Sequence, residues 1–590
     1  MSGAAPLRQV PLGAADVAAM RRDDGAVFLR SPHVLGPYPR NLTERLERWA
    51  REAPARAFAA ERDPGGGWRS VTYGQAYARV RRIAQALLAR GLCAERPLAI
   101  LSENSLEHLL LTLAALHVGV CCAPVSPAYS LLSSDHAKLR YVMGLATPGL
   151  VFAQDAARYA KAVAAAVPAG TEVLYGAVPE SEPTGQVDEA HARTGPDTIA
   201  KLLFTSGSTG QPKAVVNTQR MLCANQQMLA QSLPYLAEVP PVLVDWLPWH
   251  HTAGGNHNIG IALYNGGTLY LDAGRPMPGL IETTVRNLRD VGPTIYFNVP
   301  RGYEALLPHL RADEALRKSF FGRLGILQYA AAVLPQPVWK AYEDLALQTC
   351  GERILWLTGY GATETAPFAM STNRGATRAG TVGLPVDGVE MKLAPVNDKL
   401  EARFRGPSIT PGYWRQPELT AAAFDEEGYY RTGDAMRFLD PEDPAQGLEF
   451  DGRIAEDFKL TTGTWVSVGP LRAQLNAAAA PYLQDCVITG HDRDEVGAML
   501  FPNAVACQGV AREALRAHFQ AALDRLAAAA TGSSRRISRA LLLEAPPSID
   551  SGEITDKGSI NQRAVLKARA NLVELLYTEP LAPQVLKAKE

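Results

Sequence analysis

Three features are scarce in this chain: paired cysteines, an excess of charge of either sign, and long uncharged apolar runs. The 7 cysteines among 590 residues form no C-x-x-C pair. Their odd number and scatter predict reduced thiols in a cytoplasmic protein. The formal net charge of -1 gives no electrostatic attraction to nucleic acid or to an anionic membrane surface. We therefore expect neither nucleic acid nor a membrane as a partner.

One stretch, Leu109 to Val125, contains no Asp, Glu, Lys or Arg and is superficially similar to a membrane span. It is interrupted by His117, Gly119 and Pro124, and it falls short of the ~20 apolar residues that a spanning helix needs. The stretch instead predicts a buried helix that leads into a core strand. The N-terminus alternates Gly, Ala, Pro and charged residues, so we expect no signal peptide.

Strand-like and helix-like patterns alternate along the chain. Short β-type runs at Pro97 to Leu101, Gly149 to Phe152 and Thr268 to Asp272 are separated by helical patterns such as Tyr77 to Arg90. This order predicts an α/β fold with mainly parallel sheets. A chain of 590 residues is long enough for more than one domain.

The most informative segment is rich in glycine and hydroxyl side chains and ends in a lysine. A β-strand is predicted before it at Ile199 to Phe204; β character resumes at Ala214 to Val216, and a helix is predicted from about Gln219 to Leu233. Glycines let backbone N–H groups approach anionic oxygens, hydroxyls add donors, and lysine adds a point charge. The segment therefore predicts a polyphosphate-binding loop, formed by Thr205, Ser206, Gly207, Ser208, Thr209, Gly210, Gln211, Pro212 and Lys213.

This loop differs from the Walker A loop of P-loop ATPases. In that motif the lysine follows glycine directly and a helix begins there. Here Lys213 stands three residues after Gly210, and strand residues follow it. The segment resembles the phosphate loop of the adenylate-forming superfamily, which includes acyl- and aryl-CoA synthetases, luciferases and peptide-synthetase adenylation domains.

Four further segments resemble motifs of this superfamily and occur in its order. Together the five motifs extend the resemblance from about Leu42 to about Arg563. They are the histidine loop Trp246 to Gly255 with His251, the Y-G-x-T-E motif Gly359 to Glu364, the T-G-D motif Tyr430 to Asp434, and the hinge segment Gly452 to Gly463.

The resemblance implies a particular domain organisation and a two-step reaction. A large N-terminal adenylation domain would span residues 1–454, and a small mobile α+β C-terminal domain would span residues 455–590. ATP would convert a small-molecule carboxylic acid to an acyl-adenylate with release of pyrophosphate, and coenzyme A would then take the acyl group. The oligomeric state stays open, with a homodimer as one alternative.

Each motif then has an implied role. The phosphate loop would hold the β- and γ-phosphates of ATP, Thr363 would reach the α-phosphate, and Glu364 would bind Mg²⁺. Tyr360 would stack on adenine, and Asp434 would accept both ribose hydroxyls. Taken alone, Glu364 is equally consistent with a charge at a helix N-terminus, and Asp434 with an ordinary turn aspartate.

The remaining implied roles concern the acid pocket and the hinge. His251 would form a wall of the acid pocket, and Arg453 would contact the ribose beside the hinge. Lys459 matches the superfamily's lysine after the hinge, where Trp465 would line the channel for the thiol. Ala455 departs from the usual aspartate or lysine, so the pivot is expected to depend on backbone contacts.

The C-terminal motif also departs from the superfamily pattern. The usual P-x-T-x-x-G-K carries a lysine that offsets charge on the α-phosphate during adenylation. The corresponding region, from Pro547 to Gly558, has Asp556 in place of the glycine before Lys557. Lys557 is the predicted catalytic lysine.

Segments around the histidine loop, the hinge and the C-terminal motif resemble feruloyl-CoA synthetases most. This resemblance implies a hydroxycinnamic acid substrate lying near wall residues that we place at His251, Asn256, Phe297, Asn298 and Tyr329. A ligase for another acid, of the benzoate type or fatty, is the nearest alternative. A non-catalytic ligand-sensing relative and an unrelated P-loop ATPase are alternatives from other classes.

Overall fold

The structure is a computed structural model that describes residues 6–206, 211–372, 380–504, 506–555 and 558–589. Its helices lie against five β-sheets. They are Glu44–Glu52, Tyr73–Leu88, Leu106–His117, Pro127–Leu131, Ala137–Ala146, Ala156–Ala166, Gly185–Arg193, Gln219–Ser232, Tyr235–Glu238, Ile259–Tyr264, Ile281–Asp290, Pro300–Ala312, Glu314–Gly322, Gln336–Cys350, Pro417–Ala422, Val468–Ala478, Arg512–Ala529, Gln562–Ala568 and Ala570–Tyr577.

A six-stranded sheet carries the two strands that flank the predicted phosphate loop. Five of its strands are parallel, and the edge strand Pro212–Thr218 is antiparallel to its neighbour. In spatial order the strands are Pro212–Thr218, Ile199–Ser206, Cys122–Pro124, Leu98–Leu101, Leu150–Ala153 and Glu172–Tyr175.

The segments around the phosphate loop fold as predicted. The buried strand is Ile199–Ser206, and the β character after the loop belongs to Pro212–Thr218. The following helix begins at Gln219 because the Thr218 side chain accepts a hydrogen bond from the backbone N–H of Met221. The helix ends at Ser232, one residue before the predicted end.

The uncharged stretch after Leu109 also folds as predicted. It forms the end of the buried helix Leu106–His117 and then the core strand Cys122–Pro124. Every residue of this helix except Glu107 is buried. Among the described residues, no helix has both the length and the apolar character that a membrane crossing requires.

An eleven-stranded sheet forms the second large layer. Three parallel strands at one end adjoin eight antiparallel strands. The eight are antiparallel because hairpins connect most of them. The α/β class is confirmed. The sheets are mixed: this one is mainly antiparallel, whereas parallel pairing predominates in the six-stranded sheet and in the four-stranded sheet described next. In spatial order the strands are Ala18–Arg21, Val27–Arg30, Glu390–Val396, Lys399–Arg405, Tyr430–Phe438, Leu448–Arg453, Thr381–Pro385, Met370–Ser371, Leu355–Tyr360, Ile326–Tyr329 and Ile295–Asn298.

A four-stranded sheet completes the large N-terminal part, in the order Val242–Asp245, Thr268–Leu271, Ala57–Arg62 and Trp68–Thr72. Its last strand leads into a helix that begins at Tyr73, four residues before the predicted start. A reciprocal capping box explains the earlier start, since Thr72 and Gln75 each accept a hydrogen bond from the other's backbone N–H.

The C-terminal part has two sheets and its own hydrophobic core. Both of its core clusters consist of residues from Phe458 onward, whereas the clusters of the large part end at Leu448. A separate C-terminal domain is therefore present, and the boundary at residue 454 stays a prediction. Its strands are Phe458–Lys459 paired with Trp465–Val466, and Leu483–Thr489, Val496–Pro502, Ile537–Leu542 and Val585–Lys587.

A buried ion pair fixes the segment before the predicted catalytic lysine. Arg569 donates two hydrogen bonds to the Glu553 carboxylate, at 2.6 and 2.9 Å, and the two side chains are 10% and 4% exposed. The same guanidinium donates to the carbonyl oxygens of Ala545 and Pro546. Arg569 therefore anchors both ends of residues 545–553.

We predict that Glu553→Gln destabilises the C-terminal domain by about 3–5 kcal/mol, because it leaves the Arg569 charge buried without its partner. Denaturant unfolding, monitored by a spectroscopic signal from the C-terminal domain, measures this loss of stability. Glu544→Gln is the matched control, since Glu544 pairs with Arg512 where both side chains are about 80% exposed. Equal losses in the two variants would contradict the prediction.

The same pair predicts a pH dependence. The Arg569 guanidinium lowers the pKa of Glu553 below its usual 4.5. A lowered carboxyl pKa adds stability above the unfolded-state pKa, and this stability is lost as pH falls through the folded-state pKa. The difference between wild type and Glu553→Gln should therefore be full near pH 6 and shrink below about pH 4.5.

Candidate active site

The phosphate-loop strands place the two ends of the loop opposite each other. Thr205 and Lys213 are paired in the antiparallel register, as are the backbones of Ser206 and Pro212. Gly207, Ser208, Thr209 and Gly210 lie outside the described residues.

A third segment, residues 410–414, runs along the strand after the loop. The Val216 N–H donates to the Gly412 carbonyl, and the Trp414 N–H donates to the Ala214 carbonyl. A Cβ at Gly412 would come within 2.3 Å of Thr420, so only glycine fits this turn. The segment thereby brings side chains from beyond residue 400 to the phosphate loop.

Tyr413 connects Lys213 to Glu364. The Lys213 ammonium lies 4.9 Å from the centroid of the Tyr413 ring, and the Tyr413 hydroxyl donates to Glu364 Oε1 at 3.1 Å. Burial and the nearby Glu364 charge raise the pKa of Tyr413, so the phenol stays protonated and donates. Sequence reasoning missed Tyr413, which belongs to none of the five motifs.

Thr363 and Glu364 occupy a short 3-10 turn, Thr363–Thr365, which follows the strand Leu355–Tyr360 after Gly361 and Ala362. Both residues are buried. The preceding glycine is required by sterics, since a Cβ at Gly361 would lie 1.3 Å from the Pro367 carbonyl oxygen. This close approach gives a physical reason for glycine in the Y-G-x-T-E pattern.

Tyr360, Asp434 and Arg453 form a second group. The Tyr360 hydroxyl donates to Asp434 Oδ2 at 2.6 Å, and Arg453 Nε lies 3.6 Å from Asp434 Oδ1. Asp434 and Arg453 are paired on adjacent strands, while Phe404 stacks on the Tyr360 ring at 5.8 Å. Burial raises the pKa of Asp434, and Tyr360 and Arg453 oppose that rise.

The histidine loop leads into a π-helical turn, Ala253–Asn258. The rings of His250 and His251 are 4.1 Å apart, and His257, further along, lies 4.7 Å from Phe297. The structure thus brings His257 against the ring of Phe297, which is one of the predicted wall residues. The role of His251 stays a prediction.

Two other predicted wall residues have partners inside the protein. Asn298 donates to the Tyr296 hydroxyl at 2.8 Å. Tyr329 is 2% exposed and packs edge-on against Trp339 and Trp356. Their part in an acid pocket stays a prediction.

A buried lysine that sequence reasoning missed holds the π-helical turn. Lys201 is 3% exposed, and its ammonium donates to the Gly255 carbonyl at 2.6 Å and to Asn256 Oδ1 at 3.1 Å. The Asn256 amide in turn donates to Asn217 and Thr252. Burial lowers the pKa of Lys201 to about 8. The sequence signal that could have pointed to Lys201 was its charge within an otherwise apolar strand pattern.

At the predicted hinge, the Ala455 carbonyl accepts two hydrogen bonds from the Arg563 side chain. A side-chain contact adds to them, since Lys399 pairs with Asp457 at 2.7 Å and both are 8% exposed. Lys459 lies 4.9 Å from the Trp465 ring centroid. The hinge segment thus has contacts through its backbone and through its side chains, and its role as a pivot stays a prediction.

Comparison with family models identifies the family of this chain. The AMP-binding enzyme model matches residues 46–414, and the model of the AMP-binding enzyme C-terminal domain matches residues 457–580. The chain belongs to the AMP-binding enzyme family. The predicted membership of the adenylate-forming superfamily is confirmed.

Curated relatives in this family are distant. A probable CoA ligase of Humulus lupulus is 29% identical over 331 residues, which cover 52% of this chain and 52% of that protein. A feruloyl-CoA synthase of an Amycolatopsis species is 29% identical over 385 residues, which cover 62% of this chain and 71% of that protein. The chain spans about half the length of the first of these relatives.

Solved structures support the fold. The crystal structure of ATP-bound MatB from Rhodopseudomonas palustris has a TM-score of 0.66 and 22% identity, and covers 90% of this chain and 100% of that one. At this identity the likeness concerns the fold alone.

The family resemblance implies Mg²⁺, and Glu364 fits such an ion. Its carboxylate is buried, accepts one hydrogen bond from Tyr413, and forms no salt bridge with any residue that the structure describes. Mg²⁺ is typically held by one or two carboxylates together with waters and phosphate oxygens. A single carboxylate beside a phosphate loop suits that preference. Lys557 lies outside the described residues.

We predict that Lys201→Met removes a pH-dependent part of the stability. The folded-state pKa of about 8 lies below the usual 10.5, so the unfolded state binds more protons between these values. Wild-type stability relative to Lys201→Met should therefore rise by roughly 2–3 kcal/mol from pH 7 to pH 10. Denaturant unfolding at both pH values measures it. Lys161→Met, at an exposed helix position, is the control. If the stability difference between wild type and Lys201→Met is the same at pH 7 and pH 10, the lowered pKa of Lys201 is contradicted.

Proposed function

We propose that the chain is an ATP-dependent acid–CoA ligase that forms AMP. A carboxylic acid attacks the α-phosphate of ATP. In the more specific form of the proposal, this acid is a hydroxycinnamic acid such as ferulate. The products are an acyl-adenylate and pyrophosphate. The thiol of CoA then attacks the acyl carbon, and AMP leaves. The observation that carries the proposal is the convergence of Lys213, Tyr413 and Glu364 beside the phosphate loop of an AMP-binding enzyme.

The first step is chiefly a matter of position and charge. A carboxylate is a weak nucleophile, so the site has to hold it in line with the α-phosphate while negative charge on the triphosphate is offset. Lys213 and the loop donors would hold the β- and γ-phosphates, and Thr363 would donate to the α-phosphate. Glu364 would hold Mg²⁺, which supplies Lewis-acid stabilisation of phosphate oxygens.

The second group would bind the nucleoside. Asp434 is held by Tyr360 and Arg453, and a carboxylate facing a vicinal diol can accept from both ribose hydroxyls. Phe404 stacks on the Tyr360 ring, which supports that ring as a platform for adenine.

The acid would lie near the π-helical turn that Lys201 anchors. His257 and Phe297 provide an aromatic surface there, which suits a planar ring. Ligation of a benzoate-type or fatty acid is the nearest alternative. A non-catalytic sensor is the alternative that follows from the irregular motif around Lys557.

The second step requires CoA to reach the acyl-adenylate. Rotation of the C-terminal domain about the hinge would withdraw Lys557 and bring Lys459 and Trp465 to the site. Lys459, stacked on Trp465, lies on the loop that would then line the thiol channel.

We predict that Asp434→Ala weakens ATP binding by roughly 10- to 100-fold, because hydrogen bonds to a charged group contribute about 1.5–3 kcal/mol. Calorimetric titration with ATP in the absence of acid measures the affinity. The control is Asp440→Ala, an exposed aspartate in the turn after the same strand. If ATP affinity and adenylation rate both stay at the wild-type level, Asp434 does not bind ribose.

The function itself is tested by pyrophosphate–ATP exchange with ferulate, coumarate, benzoate and palmitate. We expect exchange only when an acid is present, and the highest kcat/KM for a hydroxycinnamate, because a rigid ring loses less conformational freedom than a flexible chain. A higher value for palmitate or benzoate would remove the hydroxycinnamate part of the proposal. No exchange with any acid indicates a sensor, and phosphate release without acid indicates an ATPase.

A further inference from the structure

A polar contact outside the hinge segment joins the two domains. Asp550 of the C-terminal domain accepts hydrogen bonds from Ser133 Oγ at 2.7 Å, from Ser134 Oγ at 2.6 Å and from the Ser134 backbone N–H at 3.1 Å. Lys138 donates to the Ile549 carbonyl at 2.6 Å. We call these five residues the inter-domain latch.

The large-domain half of the latch has a defined shape of its own. Ser133 Oγ accepts the His136 N–H, and the adjacent Asp135 side chain accepts the Ala137 N–H. His136 adopts a left-handed φ of 52°, which turns the chain at this point. Ser133 and Ser134 are therefore presented to Asp550 by a folded turn.

The C-terminal half is equally well supported. The Gly552 N–H donates to the Ile549 carbonyl, and Glu553 is clamped by Arg569. Ile554 and Ile560 form an antiparallel bridge. Asp550 therefore belongs to the same locally braced segment as the residues that flank Lys557.

The loop after the hinge has contacts of a different kind. Lys459 O accepts the Asp492 N–H, and Thr461 bonds to the Arg493 carbonyl and the Asp494 carboxylate. All of these partners belong to the C-terminal domain. In this orientation the hydrogen bonds described for that loop stay within its domain, whereas the segment before Lys557 bonds to the large domain.

We propose that Asp550 is a positioning residue for adenylation. Through Ser133 and Ser134, and with the Lys138–Ile549 contact beside it, Asp550 holds the C-terminal domain in the orientation in which the segment before Lys557 bonds to the large domain. The proposal rests on the proposed two-step ligase function. Asp550 contacts no substrate; it acts by favouring one domain orientation over the other.

The chemistry of the contact suits a reversible latch. The Ser134 hydrogen bonds are the main cause that lowers the pKa of Asp550, so the carboxylate is charged at neutral pH. Charge-assisted bonds are stronger than neutral ones, but Ser134 is exposed and Asp550 is half-buried, so water competes for both. The latch thus favours one orientation of the C-terminal domain. It still allows that domain to separate from this contact, as thioester formation requires in the proposed function.

The test measures the two half-reactions separately in Asp550→Asn and Asp550→Ala. Acid-dependent pyrophosphate exchange should fall by roughly 3- to 10-fold, because hydrogen bonds of modest net strength are lost. Thioester formation from supplied acyl-adenylate and CoA should be unchanged or faster. Ser133→Ala/Ser134→Ala should reproduce the effect, and combining it with Asp550→Ala should add little. Glu544→Ala, an exposed carboxylate of the same domain, is the control.

Hydrogen–deuterium exchange gives a readout that does not need activity. The Ser134 N–H donates directly to Asp550, so its exchange should accelerate in Asp550→Ala and stay unchanged in Glu544→Ala. Equal losses in both half-reactions would assign Asp550 a purely structural role and overturn the proposal. Unchanged pyrophosphate exchange, or unchanged Ser134 protection, would also overturn it. If the wild type shows no acid-dependent exchange, the proposed function fails, and Ser134 protection alone then decides whether the latch exists.

Discussion

The candidate site depends on the pairing between residues 410–414 and the strand Pro212–Thr218. This pairing attaches a segment that precedes Tyr430–Phe438 in the chain to the edge of the six-stranded sheet. Thr410 supports it at one end, with its hydroxyl donating to the Val216 carbonyl and its N–H donating to the Glu364 carbonyl. These bonds link Glu364, which follows a strand of the eleven-stranded sheet, to the strand after the phosphate loop. The site is thus a junction between two sheets.

The local parts of this arrangement could be predicted from the sequence. The strand before the phosphate loop, the helix after it and the buried helix before Cys122 follow from apolar patterning and caps, which act over a few residues. The motifs also predicted Glu364 and Asp434 as site residues, because glycine turns with a carboxylate occur there in a recognisable order. Their roles toward a ligand remain predictions.

The long-range parts could not be predicted in the same way. Tyr413 reaches Glu364 across 49 positions in the chain, and Tyr360 reaches Asp434 across 74. No periodicity encodes such contacts, since they depend on how the sheets pack. Lys201 is a different case: its charge in an apolar strand was visible, but its partners at the π-helical turn were not. Mixed sheet pairing likewise depends on hairpins in the second half of the large part.

In the segment before Lys557, residues 545–553, the two carboxylates Asp550 and Glu553 form contacts of very different strength. Glu553 is 4% exposed and bonded to a buried arginine, so breaking that pair inside the domain carries a large free-energy cost. Asp550, three residues earlier, bonds to an exposed serine, where water can replace each partner at small cost. A domain that changes orientation needs this difference. If the C-terminal domain reorients as proposed, the segment would leave the large domain and keep its own shape, because the exposed Asp550 contact would break and the buried Glu553–Arg569 pair would persist.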